Sequence, residues 1–352
     1  LFFQFHWQGV AMITTLLVGF GFSATTFHLP FLQHLSDFVV EGVVSSKPDD
    51  VKTALPDAVV YSSLEEALNS RQFDLVVITT PNHLHASQTL LALEHNSHVL
   101  VEKPFTLSTI DAQHLVSVSH KKKKQLCVFH NRRFDGDFFT LKQLIEQGKL
   151  GDIKRFESRF DRFRPTPRNR WRENAGPGSG IFWDLGPHLI DQALQLFGKP
   201  TAVSANVLSL RDGGQSDDTF DLTLHYADKV VNLGSSAFQG GATLRFDLQG
   251  TKASFRKFHL DPQENQLRAN MSLTSESWAV TPESEHGLLS NEDKAEVIET
   301  CRGEYLAFFE QLALAINSGA ALPADAASVV EVINIIETAL KASHEGRKLL
   351  LN

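Results

Sequence analysis

Three short stretches of the chain hold side chains suited to binding phosphate, holding an oxygen and moving a proton. Gly19-Phe20-Gly21-Phe22-Ser23-Ala24 has the G-x-G-x-x-G/A spacing and follows the apolar run Leu16-Leu17-Val18. In such a turn Gly19 permits the sharp bend and Gly21 lets the backbone approach a pyrophosphate. Ala24 allows close helix–strand packing, and the helix N-terminus at Phe22 and Ser23 offers free N–H groups and a positive dipole end. Glu102-Lys103-Pro104 follows the apolar His98-Val99-Leu100-Val101. An ammonium there lies at the carboxyl end of a parallel strand, the edge where open α/β sheets bind ligands. Asp184, His188 and Asp191 are spaced i, i+4, i+7 on a helix predicted over 181–197, so they share one face. Carboxylate and imidazole on one face suit acid–base work, and an unperturbed imidazole titrates near pH 6.5. The same spacing also arises on inert surface helices. Pro187 inside that helix costs about 3 kcal/mol unless a first turn or kink accommodates it, a cost more expected at a functional site.

The elements that must position these groups read in order. A strand before Gly19 and a second over 38–44 frame a βαβ unit. The second strand ends in Ser45-Ser46-Lys47. An NAD site usually carries Asp or Glu there for the ribose 2′-OH. Two hydroxyls and an ammonium instead suit a 2′-phosphate, which favours NADP over NAD. Glu41 lies too early, inside the strand. A continuous apolar strand is predicted over 75–80, as in a parallel sheet covered on both faces. It delivers Thr80, Pro81, Asn82 and His85, which should border the cofactor together with Glu102. His83-x-His85 has no accompanying carboxylate or cysteine, so no metal site is expected. A helix from Thr109 starts on the box Ser108-x-x-Asp111 and ends in Lys121 to Lys124, cations that suit a helix C-terminus. A last strand runs over 125–129.

Beyond His130 the pattern changes. A helix ends at Gly148. Strands are then predicted over 153–160, 202–210, 219–226, 229–238, 243–249 and 253–258, and helices over 305–317 and 326–344. Neighbouring strands in such a run imply a largely antiparallel sheet. The expected organisation is an α/β Rossmann domain over 12–130 and an α+β domain over 131–352 for substrate binding and oligomerisation. The aromatic residues 1–11 read as an extension ahead of Met12, outside the fold. The segment from Arg162 to Arg172 interleaves arginines with Phe163 and Trp171. It suits a lid over an anionic or polyol ligand, a solvated loop or a subunit contact.

A chain of 352 residues suits two domains, and 42% hydrophobic with 21% charged residues is ordinary for a soluble globular protein. A net charge of −8 argues against general nucleic-acid binding. Cys127 and Cys301 form no zinc or disulfide pattern, so a reducing cytoplasm is expected. No apolar run is long enough to span a bilayer.

The set Gly19-x-Gly21-x-x-Ala24, Pro81-Asn82-x-x-His85, Glu102-Lys103-Pro104 and Asp184-x-Gly186-x-His188 resembles the glucose–fructose oxidoreductase/inositol dehydrogenase (Gfo/Idh/MocA) family. His130-Asn131-Arg132-Arg133-Phe134-Asp135, Arg164-Pro165 and Arg170-Trp171-Arg172-Glu173 look most like its NADP-dependent scyllo-inositol dehydrogenase branch. The resemblance implies Lys103 as catalytic lysine, His188 as proton-transfer residue and Asp184 as its helper and a substrate ligand. Substrate contacts are implied for Lys103, His130, Arg132, Arg164, Trp171, Asp184 and His188. It also implies subunit contacts through the open sheet, hence a homodimer or homotetramer. The expected reaction is hydride exchange between NADP and a secondary hydroxyl of a cyclic polyol or sugar. His188 would take the hydroxyl proton and Lys103 would stabilise the alkoxide, while Asp184 orients the imidazole or binds a neighbouring hydroxyl. A redox-assisted glycosidase would show no net NADPH change, and a non-catalytic dinucleotide sensor would not need Lys103 and His188.

Overall fold

A computed structural model describes residues 12–351; the expectation for residues 1–11 lies outside them. The described chain divides into two compact units. The first holds the residues up to Glu102 together with 113–129 and 306–327, and the second holds 103–112, 130–305 and the remainder. The division is therefore not one cut in the sequence.

The first unit is built on β1 (Ile13–Val18), β2 (Phe38–Val44), β3 (Val59–Tyr61), β4 (Leu75–Ile78), β5 (His98–Val101) and β6 (Leu126–Val128). These pair in the order β3-β2-β1-β4-β5-β6, all parallel. This is the doubly wound Rossmann order, with its reversal between β1 and β4. Leu16, Leu17 and all of β4 are fully buried, which is why these strands read as unbroken apolar runs. Gly19, Ser45, Thr79 and Glu102 follow β1, β2, β4 and β5, so the same carboxyl edge carries all four. The helical segment after Gly21 is wound as a π-helix over Ala24–His28 before the α-helix Leu29–His34. Pro30 lacks the N–H that an α-turn would give the Thr26 carbonyl, and the chain widens just ahead of it.

The second unit carries a nine-stranded sheet. Its strands are β7 (Ile153–Arg159), β8 (Ala202–Leu208), β9 (Thr219–His225), β10 (Val230–Ser236), β11 (Leu244–Gly250), β12 (Ser254–Phe258), β13 (Gly287–Ser290), β14 (Ala295–Ile298) and β15 (Leu349–Leu350). The order is β14-β13-β12-β11-β7-β10-β9-β8-β15, with β7 and β10 parallel and every other pair antiparallel. The Ile181–Phe197 helix packs on β9 and β10, with Phe182 against Phe220 at 4.9 Å and Phe197 against Phe156 of β7 at 5.3 Å between ring centroids.

The opposite side of that sheet is mixed rather than apolar. Arg155 pairs with Glu157, Arg159 with Asp221 and Arg256 with Asp247, alongside Val230, Phe258 and Leu288. Gly234 lies in register with Arg159 and Asp221, and a Cβ there would come within 2.5 Å of the Arg159 guanidinium.

Candidate active site

In the first unit the glycine turn is shaped by two different constraints. Gly19 sits at φ +92°, where a Cβ would approach Thr79 Oγ1 to 2.9 Å, so this position is closed to a side chain by the protein itself. At Gly21 a Cβ would meet nothing within 4 Å. No protein atom closes that position to a side chain, and the open backbone suits the close approach of a dinucleotide pyrophosphate. Ala24 is fully buried under the turn.

Ser23 Oγ donates to Glu102 Oε1, which also lies 3.0 Å from His28 Nε2. Glu102 thus ties the end of β5 to the turn after β1. Its partner His28, fully buried against Phe129 and Phe309, escaped the sequence reading. The only signal was its place on the inner side of the helix.

At the end of β2, Ser45 Oγ accepts from the Lys47 backbone N–H at 3.0 Å, and Ser46 is exposed. Lys47 makes a solvent-exposed pair with Asp50 at 3.7 Å, a weak link that a phosphate can replace. Glu41 pairs with Arg71 at 2.5 Å, away from the strand end. Thr80 Oγ1 donates to Gln88 Oε1 at 2.6 Å, and His85 Nε2 lies 2.9 Å from the Thr80 carbonyl, so both fix the loop through Pro81 and the buried Asn82. His83 is exposed while His85 is fully buried, so the two imidazoles are held apart. Among the described residues no three His, Cys, Asp or Glu side chains are grouped as a metal site.

Lys103 opens the second unit, and its peptide bond to Pro104 is cis. Its Nζ donates to Asp184 Oδ1 at 2.9 Å and to the Asp184 carbonyl at 2.6 Å. Burial pushes the Asp184 carboxyl up, but Lys103, Arg172 and Arg162 outweigh it and hold the group below the usual carboxylate range. Arg172 Nε stands 3.6 Å from the same Oδ1.

One turn along the helix, His188 is buried with its Nδ1 making no hydrogen bond. Burial, then the charges of Lys103, Arg132, His130 and Arg245, drives its pKa well below that of free imidazole. The ring is therefore neutral at physiological pH, the state a base needs. Its edge meets His130, with centroids 6.1 Å apart and planes at 86°. Asp191, two turns along the same face, is held by other partners than Asp184: Arg133 grips it through two bonds of 2.9 and 2.6 Å, and His130 Nδ1 lies 3.6 Å off. The three residues lie on one helix at the spacing read from the sequence, with Lys103 as partner at one end and Arg133 at the other; the Asp191–Arg133 clamp was not legible in the spacing.

The Ile181–Phe197 helix is fixed at its start by long-range contacts. Asp217 accepts from the Phe182 N–H at 2.7 Å, and burial pushes its carboxyl up to about 6. Gly180, at φ +96°, lies so close that a Cβ would sit 2.0 Å from Asp217 Oδ1. The Gly180 N–H donates to the Arg172 carbonyl at 2.8 Å, which ties the arginine-rich loop to the helix.

Arg132 is buried, donating to Asp135 at 3.3 Å and Glu264 at 2.6 Å, with its guanidinium 4.6 Å over the Phe160 ring. Trp171 is part-exposed beneath the Arg172 guanidinium at 4.6 Å. Arg164 is half-buried, its backbone N–H bonded to the Ala237 carbonyl at 2.7 Å. Glu173 fastens the segment by accepting from Arg168, Arg170 and Arg211 at 2.9, 2.8 and 2.9 Å.

Comparison with known proteins agrees with this geometry. Residues 13–130 match the model of the oxidoreductase family NAD-binding Rossmann fold, and residues 142–351 match that of its C-terminal alpha/beta domain. The chain is 37% identical over 339 residues to scyllo-inositol 2-dehydrogenase (NADP(+)) IolW of Bacillus subtilis (strain 168), covering 95% of each. It is also 37% identical to the uncharacterized oxidoreductase YdgJ of Escherichia coli (strain K12), over 95% of this chain and 97% of that one. The solved structure of yvaA from Bacillus subtilis superposes with a TM-score of 0.94 at 37% identity, covering 97% of this chain and 99% of that one. A Rossmann sheet ending in a bare glycine turn, followed by a largely antiparallel sheet whose helix presents Asp184 and His188, and matching both family models, makes this chain a member of the Gfo/Idh/MocA oxidoreductase family.

Proposed function

We propose that the protein is an NADP-dependent dehydrogenase or reductase acting on a secondary hydroxyl of a cyclic polyol or sugar. The observation that carries this reading is the Lys103 ammonium held by Asp184 one helical turn from the neutral, buried His188. A bound nicotinamide dinucleotide would supply the acceptor or donor of the hydride equivalent.

Lys103 binds the reacting oxygen and stabilises negative charge developing on it. His188 takes the hydroxyl proton in oxidation and returns it in reduction. Asp184 fixes the lysine and offers its second oxygen to a neighbouring hydroxyl. With Oδ1 occupied by Lys103, it serves the ammonium rather than the imidazole. His130 packs on His188 and positions it, and Arg132 supports the wall behind through Phe160. Trp171, Arg164 and Arg172 provide the polyol-facing side.

Gly19, Gly21, Phe22, Ser23 and Ala24 form the pyrophosphate turn, braced by Glu102. Thr80, Pro81, Asn82 and His85 line the edge toward the nicotinamide. Ser45, Ser46 and Lys47 receive the 2′-phosphate, with hydroxyls rather than a carboxylate directly after β2 and Lys47 exchanging its exposed partner Asp50 for the phosphate. IolW, described as using NADP(+), supports that preference. The reading places the protein in the cytoplasm as a homo-oligomer; among the described residues no helix is long and apolar enough to cross a membrane.

Purified protein incubated with NADP and a polyol and sugar panel should show net NADPH formation, and NADPH consumption with the matching ketones. Absence of net redox change across the panel, with the protein folded and NADP bound, would contradict the reading.

A further inference from the structure

We infer that Arg162 and Arg164 form an anion subsite, so that the substrate is a polyol or sugar bearing a carboxylate or phosphate. This rests on the oxidoreductase reading for the reaction but not for the binding.

The two arginines continue β7 beyond Arg159 and are held by backbone bonds. The Arg162 N–H donates to the Ser236 carbonyl at 2.9 Å and the Arg164 N–H to the Ala237 carbonyl at 2.7 Å. In extended chain, positions two apart point the same way. The intervening Phe163 points elsewhere and is 65% exposed. Both side chains are half-buried, the Arg162 guanidinium lying 5.1 Å over the Phe160 ring.

Their neighbours are all matched with carboxylates. Arg132, Arg159, Arg168, Arg170, Arg172 and Arg211 each lie in ion-pair range of a carboxylate. Among the described residues Arg162 and Arg164 form no such pair. The carboxylates whose charge reaches Arg162 are Glu264 and Asp184. Glu264 already serves Arg132 and Arg268 at 2.6 and 2.7 Å, and Asp184 serves Lys103 and Arg172. Burial first, and for Arg164 then the charges of Arg162 and Arg170, depress the proton affinity of both guanidinium groups, outweighing Glu264 and Asp184 at Arg162 and Glu173 at Arg164.

Two adjacent, partly desolvated cations are unfavourable unless an anion completes the site. A hydroxyl can accept their hydrogen bonds but supplies no charge. A carboxylate or phosphate supplies both, in the forked geometry that guanidinium groups favour. In a chain of net charge −8, this local excess of cations also draws an anion toward Lys103 and His188.

The test compares scyllo-inositol, an inositol monophosphate and glucuronate as substrates with NADP. One anionic arm should exceed the neutral one in kcat/KM by roughly tenfold or more and identify the anionic group. That ratio should collapse in Arg162→Gln and in Arg164→Gln, and added KCl should lower the anionic arm more steeply than the neutral one. Equal or better use of the neutral polyol, or variants that lower all arms alike, would overturn the subsite.

Calorimetric titration of the inositol monophosphate and of glucuronate separates binding from chemistry. Binding that is lost in the variants, without turnover of any arm, keeps the subsite and removes the redox reading. No anion binding by wild type removes the subsite. If a Gln variant fails to fold, the salt dependence of wild type decides: no added effect on the anionic arm counts against the proposal.

Discussion

At the residue scale, the proposed chemistry rests on two groups. The Lys103 Nζ is held by Asp184, while His188 is kept neutral by burial and the cations around it. Lys103→Ala should slow hydride transfer by roughly a hundredfold or more, through loss of charge stabilisation on the oxygen. His188→Ala should cost about 10²–10⁴-fold, and the double variant should be little worse than either single, because both act on one transition state. Single-turnover transfer with the best substrate checks all three.

The depressed pKa of His188 gives the sign of the pH profile. Its neutral form persists as pH falls through 6.5, so the acid limb for alcohol oxidation due to this group should lie below pH 6.5. Between that value and the lower folded pKa, the unfolded chain binds a proton that the native ring refuses. His188 therefore makes stability fall as pH falls through this window. A rate profile limited by a group titrating at or above 6.5 would show that a different base acts.

At the element scale, the glycines separate folding from binding. Gly19→Ala should destabilise the fold by about 1–3 kcal/mol, because φ +92° and Thr79 exclude a Cβ. Gly21→Ala should leave the melting temperature nearly unchanged and weaken NADP binding by roughly tenfold or more, since only an approaching ligand meets the new methyl. Gly180→Ala should cost about 2–4 kcal/mol and lower activity with it, since it drives Asp217 off the helix that carries Asp184 and His188. Thermal denaturation and cofactor titration distinguish the three.

Legibility in the sequence followed the same division. The glycine turn, Lys103, Asp184 and His188 could be read because each lies in a contiguous pattern of residue types on one element. His28 under Glu102, Arg133 on Asp191 and Asp217 capping the Ile181–Phe197 helix could not, because their partners are 74, 58 and 35 residues away and are brought in by packing. The long buried strands were legible for the same reason, as unbroken or alternating apolar runs. β3 and β15 are three and two residues long, and β14 is largely exposed, so they carry no period to read.

At the scale of the whole molecule, the family resemblance implies self-association through the open sheet, and the outer face of that sheet carries the Arg155–Glu157, Arg159–Asp221 and Arg256–Asp247 pairs among isolated apolar side chains. An interface built there would be partly electrostatic. Light scattering should show a mass above the 39.1 kDa of one chain at micromolar concentration, falling toward it as salt is raised. A single-chain mass at every salt concentration would remove the oligomer.

The proposed preference for NADP rests on Ser45, Ser46 and Lys47 of the first unit. NADP should bind more tightly than NAD, and Ser45→Asp should reverse the order by repelling the 2′-phosphate. The most direct test of the account is single-turnover reduction of NADP by the best polyol or sugar in the panel, followed in wild type, Lys103→Ala and His188→Ala, with NADP affinity measured in each. The account predicts rapid NADPH formation in wild type and a loss of roughly a hundredfold or more in both variants, with NADP binding largely retained. Near-normal transfer in either variant would contradict the roles given to Lys103 and His188.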